Sequence, residues 1–152
     1  MITIKLVCVG NLKEKFWQNA TDEYSKRLSK FCKLKIVELE EQNKYQDIEK
    51  IKEVEGKDIL SYIEGKTFLL DINGKENTSE EFASIIQKTS LQASVITFVI
   101  GGSYGVSGEV KEKIKDKISF GKATYPHNLA RVILVEQIYR AFMINSGAKY
   151  HK

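Results

Sequence analysis

Proline is almost missing from this sequence: Pro126 is the only one in 152 residues. Histidine and cysteine are nearly as scarce, with two of each. Cys8 lies in an apolar run and Cys32 follows Phe31, contexts in which cysteine acts as a small hydrophobe. Two such residues do not make a disulfide framework, and with two histidines the paired-ligand spacing of a zinc site is lacking. No metal is expected. No stretch reaches 18 apolar residues, so no membrane span is expected. The N-terminus, Met1-Ile2-Thr3-Ile4-Lys5-Leu6-Val7, has neither a positive lead-in nor a small-residue cleavage site, and it reads as a first strand. The protein is expected to stay in the cytoplasm, where it is made. There are no internal repeats and no low-complexity linkers.

What is present fits a single domain spanning 1–152. A chain of this size buries roughly 68–70% of the surface its unfolded form exposes, so it needs no covalent staple. The net charge of +4 is mild. From Lys117 onward, however, six basic residues (Lys117, Lys122, Arg131, Arg140, Lys149, Lys152) face one acid, Glu136, and both histidines lie there too. Two readings stand side by side: a footprint for a polyanion, or a solvated face with a basic tail.

Strand and helix signals alternate throughout. Ile2–Val9 is a β-rich run; Phe16, Ala20, Tyr24 and Leu28 form the four-residue stripe of a helix over Lys13–Phe31. Leu34–Leu39 reads as a second strand, Glu40–Asp47 as a polar loop, and Ile48–Ile63 as a charged helix. Phe68–Ile72 is a third strand, closed by the turn signal Asn73-Gly74. Thr78 and Glu81 stand at capping-box spacing at the head of the next helix. Ser94–Ile100 is apolar or β-branched enough for a central strand. A short helix over Gly108–Lys115, a fifth strand at Lys117–Phe120 and a long helix from Pro126 to Ser146 complete the chain. Such alternation predicts an α/β fold, a mainly parallel sheet with helices on both faces.

Ligands in open α/β sheets bind beyond the carboxyl ends of the strands. Leu69–Gly74, Phe98–Gly105 and Phe120–His127 all end there, and glycine lets a backbone approach a ligand closely. Taken alone, Gly101-Gly102-Ser103-Tyr104-Gly105 reads as a glycine turn between strand and helix. The last helix carries Leu129, Val132, Ile133, Leu134, Val135, Ile138, Tyr139, Phe142, Met143 and Ile144 around its whole circumference, and a helix apolar all round needs cover on all sides. A sheet covers one side, so the pattern predicts a partner on the other, most simply a second copy. The terminal Lys149-Tyr150-His151-Lys152 is either an idle tail or a group able to stack on a base and hold phosphate.

Taken together, these segments resemble the RlmH family, ribosomal large-subunit pseudouridine methyltransferases of the SPOUT class. The likeness rests on Phe98–Gly105, Ser119-Phe120, Tyr125-Pro126-His127, Arg131-Val132, Leu134–Phe142 and Tyr150-His151-Lys152. Val9–Lys13 and Tyr24–Leu28 extend it to nearly the whole chain. The resemblance implies a C-terminal trefoil knot, which general topology rules disfavour. It also implies a homodimer and S-adenosylmethionine as methyl donor. The expected product is N3-methylpseudouridine in the helix 69 loop of 23S ribosomal RNA. Carried over by position, Leu70, Gly101, Phe120, Gly121, Lys122, Ala123, Thr124 and Tyr125 bind the cofactor. This sequence departs at Gly121-Lys122-Ala123, where the family more often has serine, lysine and methionine. His151, Tyr150 and Arg131 are the catalytic candidates, with His151 assisting deprotonation; Tyr150, His151, Lys152 and Arg140 are the candidates for holding RNA. A flavodoxin-like nucleotide- or flavin-binding module is one competing class, but Gly10-Asn11-Leu12-Lys13 lacks the Ser/Thr cluster of its phosphate loop. A non-catalytic RNA-binding protein would share the basic C-terminus and lack the pocket.

Overall fold

The structure, a computed structural model, describes residues 1–152. Five strands form one sheet in the order β2-β1-β4-β3-β5: β1 (Thr3–Val9), β2 (Lys33–Leu39), β3 (Lys66–Glu76), β4 (Val95–Ile100) and β5 (Asp116–Ser119). Every neighbouring pair is parallel, in keeping with the α/β alternation of the sequence. The helices are α1 (Lys15–Leu28), α2 (Ile48–Tyr62), α3 (Ser79–Ser90), α4 (Gly108–Lys113) and α5 (His127–Ser146).

Side chains of a strand alternate between faces, and here both faces are dry. Ile4 and Leu6 of β1 join Phe98 and Ile100 of β4 on the face covered by α1, α3 and α5, where Leu28, Phe82, Ile86, Leu134 and Ile138 meet them. Val7, Val9, Leu69 and Val99 turn to the opposite face, under Ile59, Val110 and Ile114 of α2, α4 and the turn after it. Gly56 lets those two helices meet: a Cβ there would stand 2.5 Å from Ser107 Oγ. Cys8 and Cys32 are buried free thiols, their pKa values pushed by burial up to about 11 and about 12.

Three expectations change. The stripe on α1 does not hold along its length: Leu28 is buried but Phe16 is 63% exposed. A four-residue step overshoots a helical turn by about 40°, so three steps carry Phe16 off the inner face. Asn73-Gly74 does not end β3. Leu70 and Lys75 both pair with Ile118, so residues 71–74 bulge out and the strand resumes beyond them. Asp71 Oδ1 accepts from the Asn73 amide inside this bulge, and Gly74 packs so tightly on β5 that a Cβ would lie 2.8 Å from Ile118 N. The dipeptide therefore marks a bulge that opens a strand end. Finally, α5 lies between α1 and α3, which cover its flanks as well as the sheet covering its base. Leu134, Val135, Ile138 and Ala141 are fully buried, while Val132, Ile133, Tyr139, Phe142 and Ile144 are half-buried.

The helix ends follow their local signals. Thr78 and Glu81 complete the capping box of α3, and Asp47 caps α2 by accepting from the Glu49 amide. Pro126 stands at the N-cap of α5, one position earlier than the first turn. Gly147, at φ +73°, closes it in the left-handed conformation, with Ala148 N donating to Met143 O. After β5, at one edge of the sheet, residues 120–126 return past the ends of β3 and β4 so that α5 starts beside β1. This path is consistent with a trefoil knot.

Leu134 fills the space between the sheet and two helices. Leu134→Ala is expected to cost about 2–5 kcal/mol by denaturant unfolding. Leu91→Ala, at a site 85% exposed, is expected to stay within about 0.5 kcal/mol of the parent.

Candidate active-site cleft

Three chain segments meet beyond the carboxyl ends of β3, β4 and β5: the 71–74 bulge, the 101–106 loop and the 120–126 crossing. Between them lies a cleft of about 320 Å³, within the range of small-molecule sites. Leu70, Ile100, Val106, Ile118 and Phe120 supply apolar walls; Asp71, Asn73, Ser119, Thr124 and Tyr125 supply polar groups. His127 and Ala130, from the first turn of α5, close one side.

Ser119 shapes the crossing. Its hydroxyl accepts from Gly121 N at 3.1 Å and has Gly121 O at 2.8 Å and Ile72 O at 3.2 Å as acceptors for its single proton. The bulge and the crossing are thereby fixed to one buried side chain. Gly121 follows at φ +112°, a conformation that favours glycine, and a Cβ there would meet nothing within 4 Å. The backbone stands open to the cleft at that point.

Gly101 has a different constraint from the one its position suggests. A Cβ there would lie 2.6 Å from Val106 Cγ1 and 3.3 Å from the Gly105 carbonyl carbon. The loop folds back on itself, and Gly101 is needed for that fold before any ligand arrives.

Of the residues carried over as cofactor-binding, Leu70, Gly101, Phe120, Gly121, Ala123, Thr124 and Tyr125 all line this cleft. Lys122 does not, and it is exposed. Asp71, Asn73, Ser119, Lys111 and His127 also line it without having been assigned to the cofactor, although Ser119 and His127 stand in the family motifs. The first two lie in the Leu69–Gly74 segment already flagged at a strand end; nothing in the local pattern marks Lys111.

Arg131 lies elsewhere. Its guanidinium is 3% exposed, donating from NH1 to Glu38 Oε2 at 2.6 Å and from NH2 to Gly10 O at 3.0 Å. Glu38 Oε2 also accepts from Leu12 N at 3.2 Å. Arg131 thus ties the start of α5 to the ends of β1 and β2, one turn behind His127, and does not line the cleft.

The tail is docked. Tyr150 packs edge-on against Tyr139 at 4.8 Å, lies under the Arg140 guanidinium and donates to Glu136 Oε1 at 3.2 Å. Burial and the Glu136 carboxylate push its hydroxyl up to about 12. Arg140 also holds Glu136, at 2.7 Å. The Nδ1 of His151 lies 3.1 Å from Arg140 NH1, and its Nε2 lies 2.6 Å from Glu80 Oε1. Arginine only donates, so Nδ1 accepts and Nε2 carries the proton toward Glu80. The basic nitrogen of His151 is therefore occupied. Tyr150, His151, Arg140 and Glu136 form one network, with the exposed Lys152 following it. None of them lines the cleft. No group of three His, Cys, Asp or Glu side chains is placed to hold a metal, and no helix is long and apolar enough to cross a membrane.

A family model described as predicted SPOUT methyltransferase matches residues 2–151. The chain belongs to the RlmH family of SPOUT-class methyltransferases. Among its relatives are proteins called ribosomal RNA large subunit methyltransferase H. That of Lactobacillus acidophilus is 52% identical, that of Clostridium novyi 48% and that of Latilactobacillus sakei 46%. Each match covers 99% of this chain and all of the relative. The knotted path of the SPOUT class accounts for a crossing segment that pattern rules alone do not anticipate.

The His151 contact lowers the pKa of the Glu80 carboxyl, helped by the residue's own backbone amide. A carboxyl depressed in the folded state adds stability above its unfolded pKa and loses it as pH falls through the folded one. Carbon-13 NMR titration of Glu80 is expected to give a midpoint below the ordinary glutamate range, returning upward in His151→Ala. An unchanged midpoint in that variant would show that the contact is not made in solution.

Proposed function

We propose that this chain methylates large-subunit ribosomal RNA with S-adenosylmethionine as donor, at N3 of a pseudouridine in the helix 69 loop of 23S ribosomal RNA. The observation that carries this reading is the match over 99% of the chain to proteins called ribosomal RNA large subunit methyltransferase H, joined to a preformed cleft at the strand ends.

The cleft suits the donor. Apolar Leu70, Ile118 and Phe120 offer a slot for a flat purine, and the open backbone at Gly121 offers amides and carbonyls to its edge. The Gly121-Lys122-Ala123 departure leaves these backbone contacts intact, because they need no particular side chain. When bound, S-adenosylmethionine supplies a methyl group on a sulfonium centre. The chain itself has to align the acceptor nitrogen with it and accommodate the N3 proton. Alignment alone can supply about 7–11 kcal/mol of barrier reduction. The walls around the cleft are fixed by Ser119 and by the fold-back at Gly101, which is the rigidity alignment requires.

The acting unit in this reading is a homodimer. The rim of α1 and α5 presents half-buried Tyr24, Tyr139 and Phe142 beside Phe31, and Arg140 lies about 20 Å along α5 from His127. A tail that acts at the chemistry therefore serves the cleft of the other protomer. Tyr150, His151, Lys152 and Arg140 then hold the RNA, and His151 acts as a base only if substrate displaces Arg140 from its Nδ1. Arg131 contributes by holding α5 in place.

Calorimetry is expected to show one S-adenosylmethionine site per chain. Ala123→Trp, which fills the cleft from an exposed position, should abolish binding without changing the melting temperature. Wild type should add one methyl group to 23S RNA in ribosomes, and Ala123→Trp none. Wild-type protein that neither binds the donor nor modifies ribosomes would overturn the reading. Sedimentation at micromolar concentration should give a dimer. Ribosome methylation by a stable monomer would remove the shared-site part.

A further inference from the structure

A second concavity of about 830 Å³ lies on the other side of the 101–106 loop, over the ends of β1 and β2. Tyr45 and Tyr104 line it, with Asn11, Gln42, Asn43 and Lys13 among its polar groups. Tyr104 is 54% exposed and Tyr45 38% exposed. Lys50 Nζ lies 5.9 Å from the centroid of the Tyr45 ring, and Tyr104 is the more open of the two.

The loop divides this groove from the cleft. Gly102, Gly105 and Val106 face the cleft, while Ser103 and Tyr104 face the groove. Ser103 donates to Glu41 Oε1 at 2.9 Å, tying the 40–45 segment to the loop. Gly10, itself buried, lies between the two. A Cβ built on that residue would stand 3.4 Å from His127 Nε2, on the cleft side, and 3.9 Å from Glu41 Oε2, on the groove side. An imidazole from the cleft side and a carboxylate from the groove side thus converge on the partition between the two spaces.

We propose that this groove seats the target nucleoside, a uracil-type base turned out of its RNA loop, stacked on Tyr104 and Tyr45 with its reactive edge toward the partition at Gly10. The proposal rests on the reading given under Proposed function and adds the place where the substrate lies. Enzymes that act on a base take it out of the stack, hold it on aromatic faces and read its edge with hydrogen bonds. The groove has these elements. Tyrosine faces serve any base; the amides of Asn11, Gln42 and Asn43 each offer both a donor and an acceptor. Carboxylate and imidazole acceptors at the partition suit the ring N–H groups of a uracil-type base. Lys13 on the wall stands ready for a phosphate, and the acidic remainder of the groove keeps the rest of the backbone outside.

Two measurements test this on the intact chain. Tyr104→Ala and Tyr45→Ala, both at exposed positions, are expected to lower kcat/KM for ribosomes by about tenfold or more, the scale of a lost base stack. Tyr104→Trp should recover most of that loss. S-adenosylmethionine affinity and melting temperature should stay within error of wild type in all three. Wild-type kcat/KM in both alanine variants would overturn the proposal. Separately, NMR shift mapping with pseudouridine nucleoside is expected to move the amides of residues 42–45 and 103–104. Shifts elsewhere, or none at millimolar nucleoside, would also overturn it. This second arm does not depend on activity, so a chain that failed to bind the methyl donor would sink the function reading while the map still decided the groove.

Discussion

The contact on which the functional end of this molecule depends is the anchoring of Arg131. A guanidinium at 3% exposure is costly to bury unless its donors are engaged, and here they reach across the fold to Glu38 and to the carbonyl of Gly10. Residues far apart in sequence, the ends of β1 and β2 and the second turn of α5, are joined at one point. Since α5 begins immediately after the 120–126 crossing, fixing its start also fixes that crossing. Glu38 is 41% exposed on its side chain, so water shares its charge. The value of the pair is therefore more in geometry than in net stability. Its planar fork sets a position that lysine would not reproduce.

From that anchor the cleft follows as a consequence of chain economy. A sheet with both faces covered has free space only at its strand ends. The 71–74 bulge, the Gly101 fold-back and the returning crossing leave a gap that no side chain fills. Ser119 ties two of these three walls. The functional end thus combines rigid walls with small or absent side chains, which lets backbone groups address a ligand directly. On the opposite side of the 101–106 loop, the chain after β2 and β4 carries the exposed Tyr45 and Tyr104. The outer edge of α5 carries a docked aromatic and imidazole tail. Each of these features lies where the parallel sheet stops and irregular chain begins.

Much of this was legible in the sequence for identifiable reasons. The parallel sheet came through because apolar runs without alternation need cover on both faces, as in Val95–Ile100. The capping box at Thr78 and the stop at Gly147 are local and need no tertiary context. The residues around the cleft were found through family likeness and through glycines at strand ends, and the structure brings all but Lys122 of them together. What escaped was set at a distance. Gly101 read as room for a ligand, whereas Val106, five residues on, occupies that space. Asn73-Gly74 read as a stop, but β5 lets the strand resume. Arg131 was placed among the catalytic groups because Arg131-Val132 is one of the segments that carry the family likeness, and only the fold shows its commitment to Glu38. The apolar circumference of α5 was a true signal of burial, much of which α1 and α3 supply.

The tail shows the remaining gap between pattern and arrangement. Its composition fits RNA contact, yet Tyr150 and His151 are held within their own subunit by Glu136, Arg140 and Glu80. A role at the chemistry requires those contacts to open toward a neighbouring cleft. In the proposed function the methyl donor sits between the 71–74 bulge, the 101–106 loop and the 120–126 crossing. The most direct measurement is a crystal structure of the chain grown with S-adenosylmethionine. The account predicts donor density against Leu70, Gly121 and Tyr125, with its methyl group directed toward the partition at Gly10. Density at any other place on the chain, with this cleft filled only by water, would contradict it.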